Sequence, residues 1–216
     1  MTVAFAFALP SPLLAIQAAR GGDRATAPAL QVPAATIDAC RRGERAALEE
    51  VFRTYAPALE RLVVRLVGPG ADAQDLLQDT FAAAIEAFPR FRGEASVRSW
   101  LHRIAVHVAH HELRRPRRRE IAIDDGDALA PAGGRADAQL AGAREAERLY
   151  AHLGKLDARK RIALVLYVIE GCSVAEIAAL MGASQTATKS RLFWARRALL
   201  ASLRRDPAFA GRGDQP

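Results

Sequence analysis

The stretch Glu170–Leu199, EGCSVAEIAALMGASQTATKSRLFWARRAL, decides the fold class. Ser173 followed by Glu176 is a capping-box pattern, in which the serine hydroxyl serves a helix amide and the glutamate reaches back to the serine's own N–H. Ile177, Leu180 and Met181 follow on one helical face, and Gly182 supplies the residue at which such a helix stops. Ser184 can cap a second helix running to about Leu203, with Thr188, Leu192, Ala195 and Leu199 as its buried stripe. A short helix, a turn containing glycine and a second helix make a helix-turn-helix. Thr186, Ser190, Phe193 and Arg197 point away from that stripe, with Lys189 and Arg196 on its flank. No acid occurs between Glu176 and Asp206, whereas Lys189, Arg191, Arg196, Arg197, Arg204 and Arg205 are basic. An outward Phe193 among polar residues suits contact with a thymine methyl or a sugar.

Working back from this unit, Asp157 to Glu170 is a helix with Ile162, Val165, Leu166 and Ile169 inward, closed by Gly171. From Ile121 to about Asp137 the chain reads IAIDDGDALAPAGGRAD, without helical period and rich in Asp, Gly and Ala, as a flexible linker does. Before it the pattern is helical again from Ile37. Leu48, Val51, Phe52, Tyr55, Leu59, Leu62, Val63 and Leu66 form one stripe, with a bend expected near Pro57. A second helix opens near Asp72 and runs to Phe88, with Leu77, Phe81, Ile85 and Phe88 as its apolar face. A third opens after Ser96 and continues to about Arg115, with Val97, Trp100, Leu101, Ile104, Ala105 and Val108 inward. The expected architecture is all-α: two small helical domains joined by a flexible linker, the second containing the helix-turn-helix. The expected division is 1–36 as a disordered tail, 37–119 and 138–205 as the domains, 120–137 as the linker and 206–216 as a second tail.

Charge is distributed unevenly. The second helix carries Asp72, Asp75, Asp79 and Glu86 and no Lys or Arg, with Asp72, Asp75, Gln78 and Asp79 on one side. Such a ridge is either a solvated face with acids favouring the helix start, or a docking surface for a basic partner. The following stretch reverses sign, with nine arginines from Arg90 to Arg119 against Glu94 and Glu112, an excess equal to the chain's whole formal +7. A helix whose outer face is basic and which ends in RRPRRR is a phosphate track.

The 216 residues, 50% hydrophobic and 25% charged, suit a globular chain, and the net +7 asks for an anionic partner, either nucleic acid or an acidic membrane. The uncharged Met1–Ala19 lacks the basic start of an export signal and is broken by Pro10 and Pro12, so no stable membrane insertion is expected. Cys40 and Cys172 stand far apart in no ligand spacing, which fits a reducing, cytoplasmic setting without disulfides. His107 and His111 are four apart, but no third ligand accompanies them, and no metal or other cofactor is expected. No phosphate-cradling glycine loop or nucleophile elbow occurs, and Asp124-Asp125 lies in the linker, so no enzyme and no catalytic residue is expected.

Three stretches in order, ADAQDLLQDTF, FRGEASVRSWLHRIAV and EGCSVAEIAALMGASQTATKSRLFWARRAL, resemble the motifs of extracytoplasmic-function sigma factors, over Ile37 to Leu203. The resemblance implies a subunit that binds core RNA polymerase and directs promoter recognition, melting and transcription initiation. It implies that Asp72, Asp75, Gln78 and Asp79 grip the polymerase. Arg103, His107 and His111, with Arg114 and Arg115 on the backbone, would then open the minus-ten region of promoter DNA. Thr186, Lys189, Ser190, Arg191, Phe193 and Arg196 would read the minus-thirty-five element. Many such proteins are held inactive by an anti-sigma factor, which becomes an expected partner. His107 and His111 stand where relatives often carry amides or other polar residues, so minus-ten preference does not carry over, and Ala187-Thr188 and Trp194 depart from the usual residues and leave the minus-thirty-five preference open. The alternative is a stand-alone helix-turn-helix regulator, which would bind operators without polymerase and would have no use for the acidic helix.

Overall fold

The computed structural model describes residues 32–68, 73–115 and 135–209. Among them are eight α-helices, one 3-10 turn and no strand, as the all-α reading expected. The first unit comprises α1 (Ala34–Arg41), α2 (Arg45–Val67), α3 (Ala73–Ala87), the 3-10 turn Phe88–Arg90 and α4 (Val97–Arg114). The second comprises α5 (Arg135–Leu153), α6 (Ala158–Val168), α7 (Val174–Met181) and α8 (Gln185–Leu203).

In the first unit, α2 buries Leu48, Val51, Tyr55, Leu59, Leu62, Val63 and Leu66 along the stripe read from the sequence, and its helical run continues through Pro57. Helix α1 begins three residues before the helical pattern read from Ile37 and seals one end of the unit with Ala39 and Cys40. Helix α3 is turned by one residue from its expected face. Leu76, Thr80 and Ala84 enter the core, while Leu77 and Phe81 are half-buried and Ile85 is 46% exposed. Thr80 tolerates complete burial because its hydroxyl donates to the Leu76 carbonyl at 2.7 Å, leaving no unsatisfied donor. Phe81 instead packs on Phe52, ring centres 4.4 Å apart. Ser96 caps α4 by accepting from the Ser99 amide at 3.1 Å. Beneath that start, Trp100 lies edge-on to Phe88 at 4.7 Å, with Phe91 alongside.

In the second unit, α6 is buried on nearly every side, from Arg161 through Leu166 and again at Val168, as a central helix must be. Asp157 caps it through the Lys160 amide at 3.0 Å. The capping box at Ser173 and Glu176 is fully formed, with the Glu176 amide 3.2 Å from the serine hydroxyl and the Ser173 amide 2.7 Å from the carboxylate. Gly182 closes α7 in the left-handed region at φ 59°. Ser184 caps α8, and Thr188, Leu192, Ala195 and Leu199 are buried as expected, joined by Leu203.

The ends of the units differ from the sequence reading. Helix α5 begins at Arg135, taking in the last three residues of the expected linker, and α1 begins inside the expected amino-terminal tail. Beyond α8, Phe209 is buried against His152, whose ring bonds Ser202 and Asp206 at 2.7 and 2.8 Å. The residues just after α8 thus belong to the packed second unit. The rest of the linker and the outer parts of both expected tails lie outside the described residues.

The two units lie against each other, with α6 on the carboxy-terminal end of α2 and α6 and α7 on α4. Tyr150 and Arg161 donate to carbonyls at that end of α2, and Arg65 pairs with Glu170 at 2.8 Å.

Candidate polymerase and nucleic-acid interfaces

The acidic ridge is built by α3. With Leu76, Thr80 and Ala84 turned inward, Asp75, Gln78 and Asp79 are exposed on its outer surface, and the exposed Ile85 stands beside Gln78 on the helical projection. Asp72 lies outside the described residues. Asp75 occupies the first turn, where a carboxylate also favours the positive end of the helix.

On α4, burying Val97, Leu101, Ala105 and Ala109 turns Arg103, His107 and Arg114 outward in one row, all exposed. His111 is exposed to one side of that row, and Arg115, just past the helix, pairs with Glu112 at 3.1 Å. His110, half-buried beside the row, has its imidazolium disfavoured first by burial and then by Arg159, Arg114, His107 and Arg191. Cations of both units thus create one positive field. No group of three or more His, Cys, Asp or Glu able to hold a metal occurs among the described residues.

His102 lies on the inner side of α4 and is pushed down to about 4, first by burial and then by Arg98. Its unfolded value near 6.5 is higher, so between those values the unfolded chain binds more protons. Stability is therefore full above pH 6.5 and falls as pH drops toward 4, by about 3 kcal/mol. Urea denaturation at a series of pH values should show that slope, and His102→Gln should remove most of it, leaving the smaller part that the depressed His110 contributes.

On α8, Thr186, Lys189, Ser190 and Phe193 are exposed. Arg191 and Arg196 are half-buried, and Arg191 turns toward Met181 of α7 and the cleft between the units, not the outward face. Trp194, absent from the sequence-based site, is 54% exposed beside Phe193, which is 49% exposed, and Arg197 lies over its ring at 5.8 Å. Its position four residues after Ser190 was the available signal. The outward surface of α8 is thus more aromatic and holds fewer free cations than the sequence suggested.

The chain matches the family model for sigma-70 region 2 over residues 51–119 and that for sigma-70 region 4 over residues 146–199. It is 30% identical to the RNA polymerase sigma-H factor of Pseudomonas aeruginosa over 173 residues, spanning 76% of this chain and 89% of that protein. It is 33% identical to the RNA polymerase sigma factor CnrH of Cupriavidus metallidurans over 172 residues, spanning 76% and 90%. This chain belongs to the extracytoplasmic-function sigma factors. As a sigma factor it directs promoter recognition and transcription initiation. The sigma factor also resembles the solved structure of CnrH in complex with the cytosolic domain of CnrY, with a TM-score of 0.55, 31% identity and coverage of 79% and 96% of the two chains. The region 2 match takes in α3 and α4, and the region 4 match takes in the helix-turn-helix of α7 and α8. No helix among the described residues is long and apolar enough to cross a membrane.

Proposed function

We propose that this sigma factor divides its work among three surfaces. Asp75, Gln78 and Asp79 on α3, with Asp72 just before it, hold core RNA polymerase through a basic surface of that enzyme. Arg103, His107 and His111 engage the opened minus-ten region, where extruded bases find stacking and hydrogen-bonding partners, while Arg114 and Arg115 neutralise its phosphates. Thr186, Lys189, Ser190 and Phe193 face the minus-thirty-five major groove, with Arg191 and Arg196 as further candidates there. The domains run from about residue 34 to 119 and from about residue 135 to 209, with the linker between them. The protein works in the cytoplasm, catalyses no reaction itself, and is restrained by an anti-sigma factor, as the partnered CnrH makes reasonable for its relative.

The observation carrying this reading is the sign change between neighbouring helices: exposed acids on α3 followed by exposed cations on α4. A DNA-binding protein working alone has no need of the acidic surface, whereas a polymerase subunit does. Purified protein added to core polymerase should start transcripts at a subset of genomic promoters. Failure at every genomic promoter sinks the reading. Within that assay, Lys189→Ala should weaken binding to promoter DNA by about 1–3 kcal/mol if its ammonium meets a base edge, and less if it meets only phosphate. Filter binding of the holoenzyme to promoter variants separates these cases.

A further inference from the structure

Among the described residues four large hydrophobic side chains stand exposed, Val64, Ile85, Phe193 and Trp194, and the last two are adjacent on α8. Neither belongs to the core stripe. Leu192 and Ala195, which bracket them in the chain, are buried, whereas Phe193 and Trp194 turn outward with their rings edge to face at 5.2 Å. Two neighbouring aromatic side chains left facing solvent mark a contact surface. The neighbours of Trp194 on the helix surface, Ala187, Ser190, Ala198 and Ala201, are small and exposed, so the indole stands clear of the helix.

The two flanks of α8 differ chemically. Lys189 and Arg196 lie to one side of the outward face and Trp194 to the other, with Phe193 and Ser190 between them on the helical projection. A recognition helix in the major groove turns each flank toward one strand. The basic flank suits phosphates. The other carries an indole, which has no charge to pair with a phosphate but can cover the apolar groups of the groove, the C5-methyls of thymine above all. The Arg197 guanidinium lies over the Trp194 ring, 5.8 Å from its centre, which steadies both groups and keeps a cation beside the indole. No acid occurs between Glu176 and Asp206, so the charge around the indole favours DNA as its partner and disfavours a basic protein.

We propose that Trp194 is a specificity-determining residue of α8, covering a thymine methyl of the minus-thirty-five element while Arg197, held against its ring, meets the neighbouring phosphate. The proposal rests on the promoter reading above and adds to it a residue that reads sequence by apolar shape. Such a contact releases no counterion, so it discriminates between bases without adding to the salt dependence of binding.

The test uses the holoenzyme assembled on core polymerase and a promoter from which it starts transcripts. Each thymine of the minus-thirty-five element, on either strand, is replaced in turn by uracil, which removes the methyl and keeps every hydrogen-bonding group. With the wild-type chain, uracil at a contacted position should weaken binding about fourfold, the worth of one buried methyl. Trp194→Ala should weaken binding to the unmodified promoter about tenfold and erase the uracil effect at its own position. The position read by Phe193, found in the same way with Phe193→Ala, should keep its effect. Trp194→Arg should lose the same uracil effect as Trp194→Ala and steepen the salt dependence of log affinity by about one. Because Trp194 is exposed, these variants should retain wild-type helical content and wild-type affinity for core polymerase. Uracil effects identical in wild type and Trp194→Ala overturn the proposal. Lost polymerase affinity in Trp194→Ala overturns it too, because the indole would then be a protein anchor. Either result with a wild-type chain that starts transcripts sinks the role of Trp194 alone, whereas a chain that starts none removes the promoter reading and this proposal with it.

Discussion

Replacing Asp75 and Asp79 together by arginine is expected to lower affinity for core polymerase about 100-fold, equivalent to about 3 kcal/mol. Loss of two exposed attractions would account for only about 1 kcal/mol, because solvent screens them. The larger effect comes from reversal, which places two new cations against a basic docking surface and makes like charges meet there. The fold should survive. Both side chains are exposed, and the core face of α3 is carried by Leu76, Thr80 and Ala84. Moving a cation into the first turn, at position 75, costs α3 roughly 0.5 kcal/mol through the helix dipole. A fluorescence titration of labelled protein against core polymerase, with thermal melting beside it, separates lost docking from lost folding. Affinity within threefold of wild type would remove α3 from the polymerase interface. Asp75→Asn with Asp79→Asn should fall between wild type and reversal, with thermal melting nearly unchanged, which separates lost docking from lost helix stability.

The contrast between what the sequence disclosed and what it concealed follows the range of the interactions. The capping box at Ser173 and Glu176, the Ser184 and Ser96 caps and the left-handed Gly182 all act within one helical turn, and each stands where its residue type placed it. The stripe of α8 was equally legible, because Thr188, Leu192, Ala195 and Leu199 lie on one side of a regular helix. On α3 the expected face was the one of large residues at 77, 81 and 85, and its neighbour runs through 76, 80 and 84. Hydropathy favours the first. The structure uses the second, because the Thr80 hydroxyl is satisfied locally and close approach to α2 and α4 favours small side chains. The site followed suit: Asp75, Gln78 and Asp79 are outward either way, but Ile85 joins their surface only once the helix is turned. Least legible was the contact between units. Arg161 meets carbonyls 94 and 95 residues earlier in the chain, and a backbone acceptor leaves no residue-type signature. A single arginine within RIALVLYV was the only mark, and it names no acceptor.

Phe88→Ala should be the most damaging single core change to the surface proposed to handle the minus-ten region. Phe88 is fully buried in the 3-10 turn between α3 and α4, 4.7 Å from the Trp100 ring and 6.0 Å from Phe91. Truncation removes an aromatic ring from a closed site and leaves a cavity, at a cost of about 3–5 kcal/mol. That is comparable to the stability margin of a small helical unit. The loss should be greatest in the first unit, where Phe88 packs on Phe91 and Trp100, while α7 and α8 bury Ile177, Leu192 and Leu199. The chain supplies its own reporters, with Trp100 in the first unit against Phe88 and Trp194 exposed on α8. With Trp194 changed to Phe, the emission of Trp100 follows the first unit alone during urea denaturation. In that background Phe88→Ala should move the Trp100 transition to markedly lower urea, while the helical signal retains a second transition from the second unit. If the two units instead melt together at one lower midpoint, the junction at Arg161 couples them more tightly than each core holds itself, and independent folding of the second unit is excluded. In either case polymerase docking and minus-ten opening should fail together in this variant, because α3 and α4 are braced on the same aromatic cluster.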